Sequence, residues 1–304
     1  MTSTPTSLDP IRLGQSGLTV SPIAWGMWRF KGDDVVAARA NVETALAAGL
    51  TFFDTADVYG PDNGEPFGAA ETLLGRVLAE APSLRDRFVL ASKGGIAPGV
   101  PYDSSRQYLT AALEASLRRM RVERIDLYQV HRPDVLTHPA DLAETLEAMR
   151  ASGKVAEVGV SNVTPAQIAA LQAHLPFPLA STQIEFSPLV IDPVADGSLD
   201  QAVERKISVM AWSPLAQGRL GDAQSTDQRV LSVRSALDVL GHAHGVSRTV
   251  AAYAWLMAHP ARPIPIVGSQ QPARIAEAAQ AAAVRVSRKD WYAVLTAARG
   301  TPLP

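Results

Sequence analysis

An aspartate, a tyrosine, a lysine and a histidine each stand just past an apolar run in this chain: Asp54 and Tyr59 in TFFDTADVYG, Lys93 in FVLASKGG, His131 in LYQVHRPD. A free tyrosine, with a pKa of about 10, is a poor acid at neutral pH. An ammonium close to the phenol stabilises the phenolate and lowers that pKa toward the useful range. A buried lysine needs a counter-charge to stay protonated, and Asp54 can supply it. His131 can donate to the oxygen that the tyrosine protonates, and so orient it. The four form a set for proton transfer to a carbonyl, and it lacks only a hydride. No side chain supplies one, so the hydride has to come from a cofactor. Singly, each residue has a plainer role as a turn, packing, solvated or structural residue. Their joint placement on successive strand ends outweighs those readings.

Such groups meet only if the apolar runs are neighbouring parallel strands. After the polar opening MTSTPTSLDP, the segment IRLGQSGLTVSPIAWG reads as a short hairpin running into a first buried strand. Strand-like and helix-like segments then alternate about eight times, and the strands are short and apolar without polar alternation, as in a parallel sheet covered by helices. Helix boundaries are marked by Asp33 or Asp34, Ser104 or Ser105, and Thr164 before Pro165, with Gly49 and Gly153 as stops. An open dinucleotide-binding sheet would carry G-x-G-x-x-G after its first strand, and no strand here is followed by it. A closed (β/α)8 TIM barrel with an N-terminal β-hairpin places functional groups at the C-terminal ends of most strands. That is the pattern seen at Trp25-Gly26, Asp54, Lys93, His131, Ser161-Asn162, Gln183 to Glu185, Ser213 and Ser269. The expectation is one α/β barrel domain over residues 1–304, with residues 1–10 a flexible tail. The irregular stretch PLAQGRLGDAQSTDQ has the character of a lid on the active rim.

Bulk properties narrow the function. A composition of 47% hydrophobic and 19% charged residues gives ample core for a single globular domain. The formal charge of -2 argues against nucleic acid, whose phosphates require a basic surface. With no cysteine, disulfides, thiolate metal sites and cysteine nucleophiles are excluded. No run reaches the ~20 apolar residues of a membrane helix, and the opening lacks the order of a signal peptide. The expected protein is cytoplasmic, without membrane or nucleic-acid partners, and a monomer or weak homo-oligomer.

F-D-T-A-x-x-Y-G, the strand-end S-K, L-x-x-V-H-R-P-D, G-V-S-N and W-S-P-L together resemble the aldo-keto reductase family, in family order from about Arg12 to about Gln280. The resemblance to its compact bacterial members implies an NADP(H)-dependent reductase of small carbonyl substrates, with Asp54, Tyr59, Lys93 and His131 as catalytic tetrad. It implies that Ser161, Asn162 and Gln183 hold the nicotinamide carboxamide, which needs both donors and acceptors. By the same resemblance Trp212 stacks on the nicotinamide ring, and Ser213, Leu215, Gln217, Gly218 and Arg219 belong to the loop over the pyrophosphate. Gly26 would lie near the nicotinamide ribose. Gly268, Ser269, Arg274 and Glu277 in IPIVGSQQPARIAEAAQ would serve the adenosine end, Arg274 holding the 2'-phosphate and Glu277 meeting the adenine amino group. Two departures stand out: G-S-Q-Q carries no basic residue, and Ala278 follows the glutamate.

For the substrate pocket, Trp25, Met27, Trp28 and Phe30, with Tyr59, Ile96 and Phe186, are expected to form an aromatic wall suited to small aldehydes, dicarbonyls or aromatic carbonyls. Two other classes compete. One is a nicotinamide-binding sensor or regulatory subunit with negligible turnover. The other is a metal-dependent lyase or isomerase using Asp54, His131 and Glu185, in which the tyrosine–lysine pair would have no task. His242 and His244 have no third ligand nearby in sequence, so no metal site is expected.

Overall fold

The computed structural model describes residues 8–303. A two-stranded antiparallel hairpin, β1 (Ile11–Arg12) and β2 (Thr19–Val20), opens it. It is followed by β3 (Ala24–Gly26), α1 (Val35–Ala47), β4 (Phe52–Asp54), α2 (Ala69–Glu80), β5 (Val89–Gly94) and α3 (Arg106–Met120). Then come β6 (Ile125–Val130), α4 (Pro139–Ala151), β7 (Val155–Ser161), α5 (Pro165–Gln172), β8 (Ser181–Glu185), α6 (Ser198–Arg205) and β9 (Ser208–Trp212). The chain closes with α7 (Gln228–His244), α8 (Arg248–Met257), β10 (Ile264–Val267), α9 (Pro272–Ala278) and α10 (Arg288–Arg299). Strands β3 to β10 are parallel and close into a barrel, with β10 pairing both β9 and β3. The (β/α)8 expectation holds.

The helix ends follow the local chemistry read from sequence. Asp34 accepts from the Ala37 N–H and starts α1, and Gly49 in the left-handed region (φ 83°) lets the chain turn back into β4. Ser105 caps α3, and Thr164 with Gln167 forms a reciprocal capping box on α5. One helix differs. The apolar periodicity extends back to Glu65, but α2 begins only at Ala69, because Gly68 is left-handed (φ 81°) and the preceding residues form the loop beneath Tyr59.

The barrel interior is a small layered core in which Ala24, Phe52, Ala91, Leu127, Met210 and Ile264 point inward. Leu13 and Val20 of the hairpin plug the N-terminal mouth against the same cluster. Since successive strand residues face opposite sides, the next inward positions toward the C-terminal mouth are Asp54, Lys93, Gln129 and Gln183, all buried. Apolar bulk fills the bottom of the barrel and polar groups the top. The outer layer, between sheet and helices, holds most of the remaining core. Residues 1–7 of the expected tail lie outside the described residues. Leu8, in the same stretch, is buried and sits against Gly49, so the end of that tail is docked.

After β9 the chain runs irregularly to α7, with Ser213, Ala216 and Gln217 all left-handed (φ 51°, 48° and 59°). This strap is tied from below. Arg234 donates to the Arg219 carbonyl through Nε (2.9 Å) and Nη2 (2.6 Å) and to the Ala223 carbonyl (2.6 Å), while Arg248 reaches the Gly221 carbonyl (3.2 Å).

The hairpin plug depends on one glycine. Gly14 has φ 57°, a Cβ there would lie 2.4 Å from the Ala180 carbonyl oxygen, and its N–H donates to Ser208 Oγ (2.7 Å). Gly14→Ala is expected to cost about 2 kcal/mol through backbone strain and the collision. Urea unfolding should show it as a lower midpoint at unchanged slope.

Candidate active site

At the C-terminal mouth the pleat of β4, β5 and β6 brings the titratable groups together. Lys93 is fully buried, and its Nζ donates to Asp54 Oδ2 (2.6 Å) and to the Thr55 carbonyl (2.8 Å). The same Nζ lies 5.0 Å from the centre of the Tyr59 ring. Tyr59 and His131 meet edge to face, with ring centroids 6.0 Å apart. The loop carrying Tyr59 is clamped to β5, because Thr55 N–H donates to the Ala91 carbonyl (2.9 Å) and Asp57 N–H to the Lys93 carbonyl (3.0 Å). All four residues singled out in the sequence share one rim.

Electrostatics assigns their protonation. Burial disfavours the Lys93 ammonium, but the Asp54 carboxylate, with the Tyr59 oxygen, outweighs it and raises the pKa. For Tyr59 burial raises the pKa; Lys93 opposes this, and Asp54 adds to the rise. The balance differs from the sequence expectation of a lowered tyrosine pKa: desolvation exceeds the lysine's pull, so the phenol keeps its proton. His131 is pushed well below the ordinary imidazole range by burial first, with Lys93 and Arg132 adding to it. It is a neutral imidazole at neutral pH, able to donate through one nitrogen.

Beside these groups lies a shelf of amide and hydroxyl groups. Asn162 is left-handed (φ 59°); its N–H donates to the Gln183 carbonyl (2.8 Å) and its side-chain amide to the His131 carbonyl (3.2 Å) and Ser161 Oγ (2.8 Å). Trp212, half-buried, donates from its indole to Asn162 Oδ1 (2.8 Å). Gln183 turns its Nε2 to Asp54 Oδ1 (2.9 Å), which leaves its Oε1 for an incoming N–H. These residues fit an amide-bearing aromatic ring laid against Trp212. Gly26 pairs with Asp54 across the sheet, and a Cβ there would strike Ile266 at 2.6 Å. Ser213, Leu215, Gln217, Gly218 and Arg219 run along the strap. Gly268 and Ser269 follow β10, and Arg274, exposed on α9, stands 3.5 Å from Asp222 of the strap, with Glu277 one turn on.

The aromatic wall needs correction. Trp25 is fully buried in the outer layer, edge to face with Phe30 and Phe53, its indole bonded to the Ser269 carbonyl (3.0 Å). Phe186 is fully buried against Trp255 (5.7 Å), and Met27 and Phe30 are also core. Trp25 and Phe186 are odd-parity neighbours of the inward-facing residues, so the pleat turns them to the helices. Of the expected wall, Trp28, Tyr59 and Ile96 remain at the rim; Trp28 is 39% exposed, with its indole 3.3 Å from Asp62. Two charged residues missing from the expected pocket join them. Arg132 lies 5.8 Å from the Trp212 ring centre, and Glu185 faces Arg219 and Arg132, its pKa raised by burial against their pull. Among the described residues no group of three His, Asp or Glu is arranged to hold a metal ion, and Asp54 is taken by Lys93.

Fold and rim together define a barrel oxidoreductase of carbonyl compounds, and the chain belongs to the aldo/keto reductase family, whose model matches residues 22–298. It is 55% identical to a 6-dehydroglucose reductase of Novosphingobium aromaticivorans over 96% of either chain. A 6-dehydroglucose reductase of Agrobacterium fabrum is 38% identical, over 93% of this chain and 96% of that one. Among solved structures, the thermostable aldo-keto reductase Tm1743, in complex with the inhibitor epalrestat, shares the fold. Its TM-score is 0.80 at 21% identity, over 95% of this chain and 99% of that one. No helix among the described residues is long and apolar enough to cross a membrane.

The neutral state of His131 has a measurable consequence. An unfolded imidazole takes a proton below pH ~6.5 and the folded one does not, so the fold loses stability as pH falls through that value, by up to about 1.4 kcal/mol per pH unit. His131→Gln is expected to flatten this loss in urea titrations between about pH 6.5 and 5. His259, whose pKa is also lowered by burial, leaves a residual slope in the variant.

Proposed function

We propose that the protein is an NADPH-dependent reductase of a sugar aldehyde, and that its substrate is 6-dehydroglucose, whose C6 aldehyde becomes a primary alcohol. The observation that carries the reaction is the buried Lys93–Asp54 pair set under a protonated Tyr59 beside a neutral His131. His131 donates to the carbonyl oxygen and fixes its position. Tyr59 delivers its proton to that oxygen as charge develops there. The Lys93 ammonium, held by Asp54, stabilises the phenolate left behind. Reduced nicotinamide, when bound, supplies the hydride to the carbonyl carbon. The Ser161, Asn162 and Gln183 groups and the Trp212 face would hold and orient it, with the strap from Ser213 to Arg219 on its pyrophosphate side.

The substrate class rests on the rim and the relatives. With Trp25, Met27, Phe30 and Phe186 in the core, the rim carries Arg132, Glu185, Tyr59 and the Trp28 indole, groups that hydrogen-bond hydroxyls. Two relatives named 6-dehydroglucose reductase point the same way. The intact proton-donating set favours an enzyme over a nicotinamide-binding sensor, and a cytoplasmic location accords with a freely diffusing nicotinamide.

Purified protein is expected to oxidise NADPH rapidly with 6-dehydroglucose and poorly with benzaldehyde. Equal or better rates with aromatic aldehydes would overturn the sugar assignment. Tyr59→Phe should lower kcat by roughly 10²- to 10⁴-fold while NADPH still binds, measured by fluorescence titration. A wild type that binds NADPH yet turns over no aldehyde would instead support the sensor. In this reading Arg274, exposed on α9, would hold the 2'-phosphate of the cofactor. Arg274→Ala should raise the KM for NADPH by roughly tenfold, as expected for one charged hydrogen bond, and leave that for NADH nearly unchanged.

A further inference from the structure

One row of residues level with Lys93 has a role that the tetrad does not explain. Lys93 on β5 pairs with Gln129 on β6, Gln129 with Gly159 on β7, and Gly159 with Ser181 on β8, so four strands contribute to a single tier of the barrel. Gln129 is completely buried, as is Ser181. The amide nitrogen of Gln129 lies 3.3 Å from Asp54 Oδ1, the carboxylate oxygen that Lys93 does not use. Its amide oxygen accepts from Ser181 Oγ at 3.3 Å, and this contact spans a whole strand. It passes over Gly159: a Cβ there would lie 2.2 Å from Ser181 Oγ and 3.3 Å from Gln129 Cγ. A glycine at 159 is therefore a spatial requirement of the Ser181–Gln129 bond.

The Ser181 hydroxyl gives the amide a direction. It donates to Oε1, and the –NH2 end is left facing Asp54, where it joins the Gln183 amide on the same oxygen. Asp54 thus has Lys93 on one oxygen and two neutral donors on the other. A carboxylate bonded on both oxygens cannot swing about its Cβ–Cγ axis, and Lys93 keeps its aim at Tyr59.

We infer that Gln129, seated by Ser181 across Gly159, is a positioning residue for proton transfer, acting through Asp54 and Lys93 on Tyr59. This rests on the reductase reading. The groups facing Asp54 that titrate or carry charge are Lys93 of β5 and Tyr59 of the loop after β4; His131 and Arg132 after β6 face Lys93 and Tyr59, and Glu185 of β8 faces Arg132 at the rim. From β8 and β9 the remaining neighbours, Gln183 and Met210, are neutral.

The test uses the full-length enzyme with NADPH and an aldehyde that the wild type reduces, following kcat, KM and NADPH affinity across pH. Gln129→Met keeps the length and removes both polar ends. It is expected to lower kcat on the order of tenfold, the worth of one hydrogen bond to a charged group, with KM and NADPH affinity changed less than about twofold. Gln129→Glu supplies a carboxyl that can donate to Asp54 only while protonated. Its activity should survive on the acid side and fall as that carboxyl ionises beside Asp54. Ser181→Ala should lower kcat in the same direction as Gln129→Met, by less. If Gln129→Met leaves kcat within about twofold of the wild type, or Gln129→Glu keeps the wild-type pH profile, Gln129 is packing alone and the inference fails. A wild type without aldehyde-dependent NADPH oxidation would instead sink the reductase reading, so the two failures are distinct.

Discussion

The structure is organised around a buried ion pair. Lys93 and Asp54 sit inside the barrel at 0% and 2% side-chain exposure, where two unpaired charges would each carry a desolvation penalty of several kcal/mol. Such a pair persists only when its geometry is close and its remaining hydrogen-bonding capacity is met. Both conditions hold here: the contact is 2.6 Å, the Thr55 carbonyl takes another lysine proton, and two amides occupy the second carboxylate oxygen. Removing either charge would strand the other in the barrel. The closed sheet keeps the pair dry, and the apolar plug of Leu13, Val20, Phe52 and Leu127 keeps water from reaching it from below.

The pair also sets the character of its neighbours. Its positive end is the pull that opposes desolvation at Tyr59 and one of the repulsions that keep His131 neutral. Asp57, two residues before Tyr59, follows a different logic. It is almost wholly buried on the far side of its loop, and burial with the nearby Glu71 raises its pKa well above the usual carboxylate range. One short loop therefore carries a carboxylate bonded to an ammonium at one end and, near the other, a buried carboxyl whose oxygens meet no hydrogen-bond donor. The difference lies in contact: Lys93 bonds Asp54 directly, whereas Lys93 and Arg119 act on Asp57 only through space.

Much of this was legible in the residues themselves. Asp54, Tyr59, Lys93 and His131 announced themselves because polar groups that follow apolar runs at strand ends are expensive without a purpose. Asp34, Ser105 and Thr164 cap the helices whose starts they mark. Other features were readable in principle and missed. Strand parity, counted from Asp54 through the pairing of Gly26 with it, places Trp25 outward beside Phe53, and the same counting turns Phe186 away from Gln183. Large aromatics near a functional strand end invite a pocket role that the pleat denies them. Gln129 carries the same parity as His131 and could have been found by it.

The alternation of strands and helices, the polar ends of the strands and the chemical types available for proton transfer follow from the residues alone, since these depend on local patterning and on groups a few residues apart. What those groups do to one another depends on how the barrel closes. The neutrality of His131, the net rise in the Tyr59 pKa and the shared hold of Gln129 and Gln183 on Asp54 depend on distances between strands far apart in the chain, and on the water that closing the barrel excludes. The identity of the rim, polar at Arg132 and Glu185 instead of aromatic at Trp25 and Phe186, was likewise settled by which face of each strand the closed sheet turns inward.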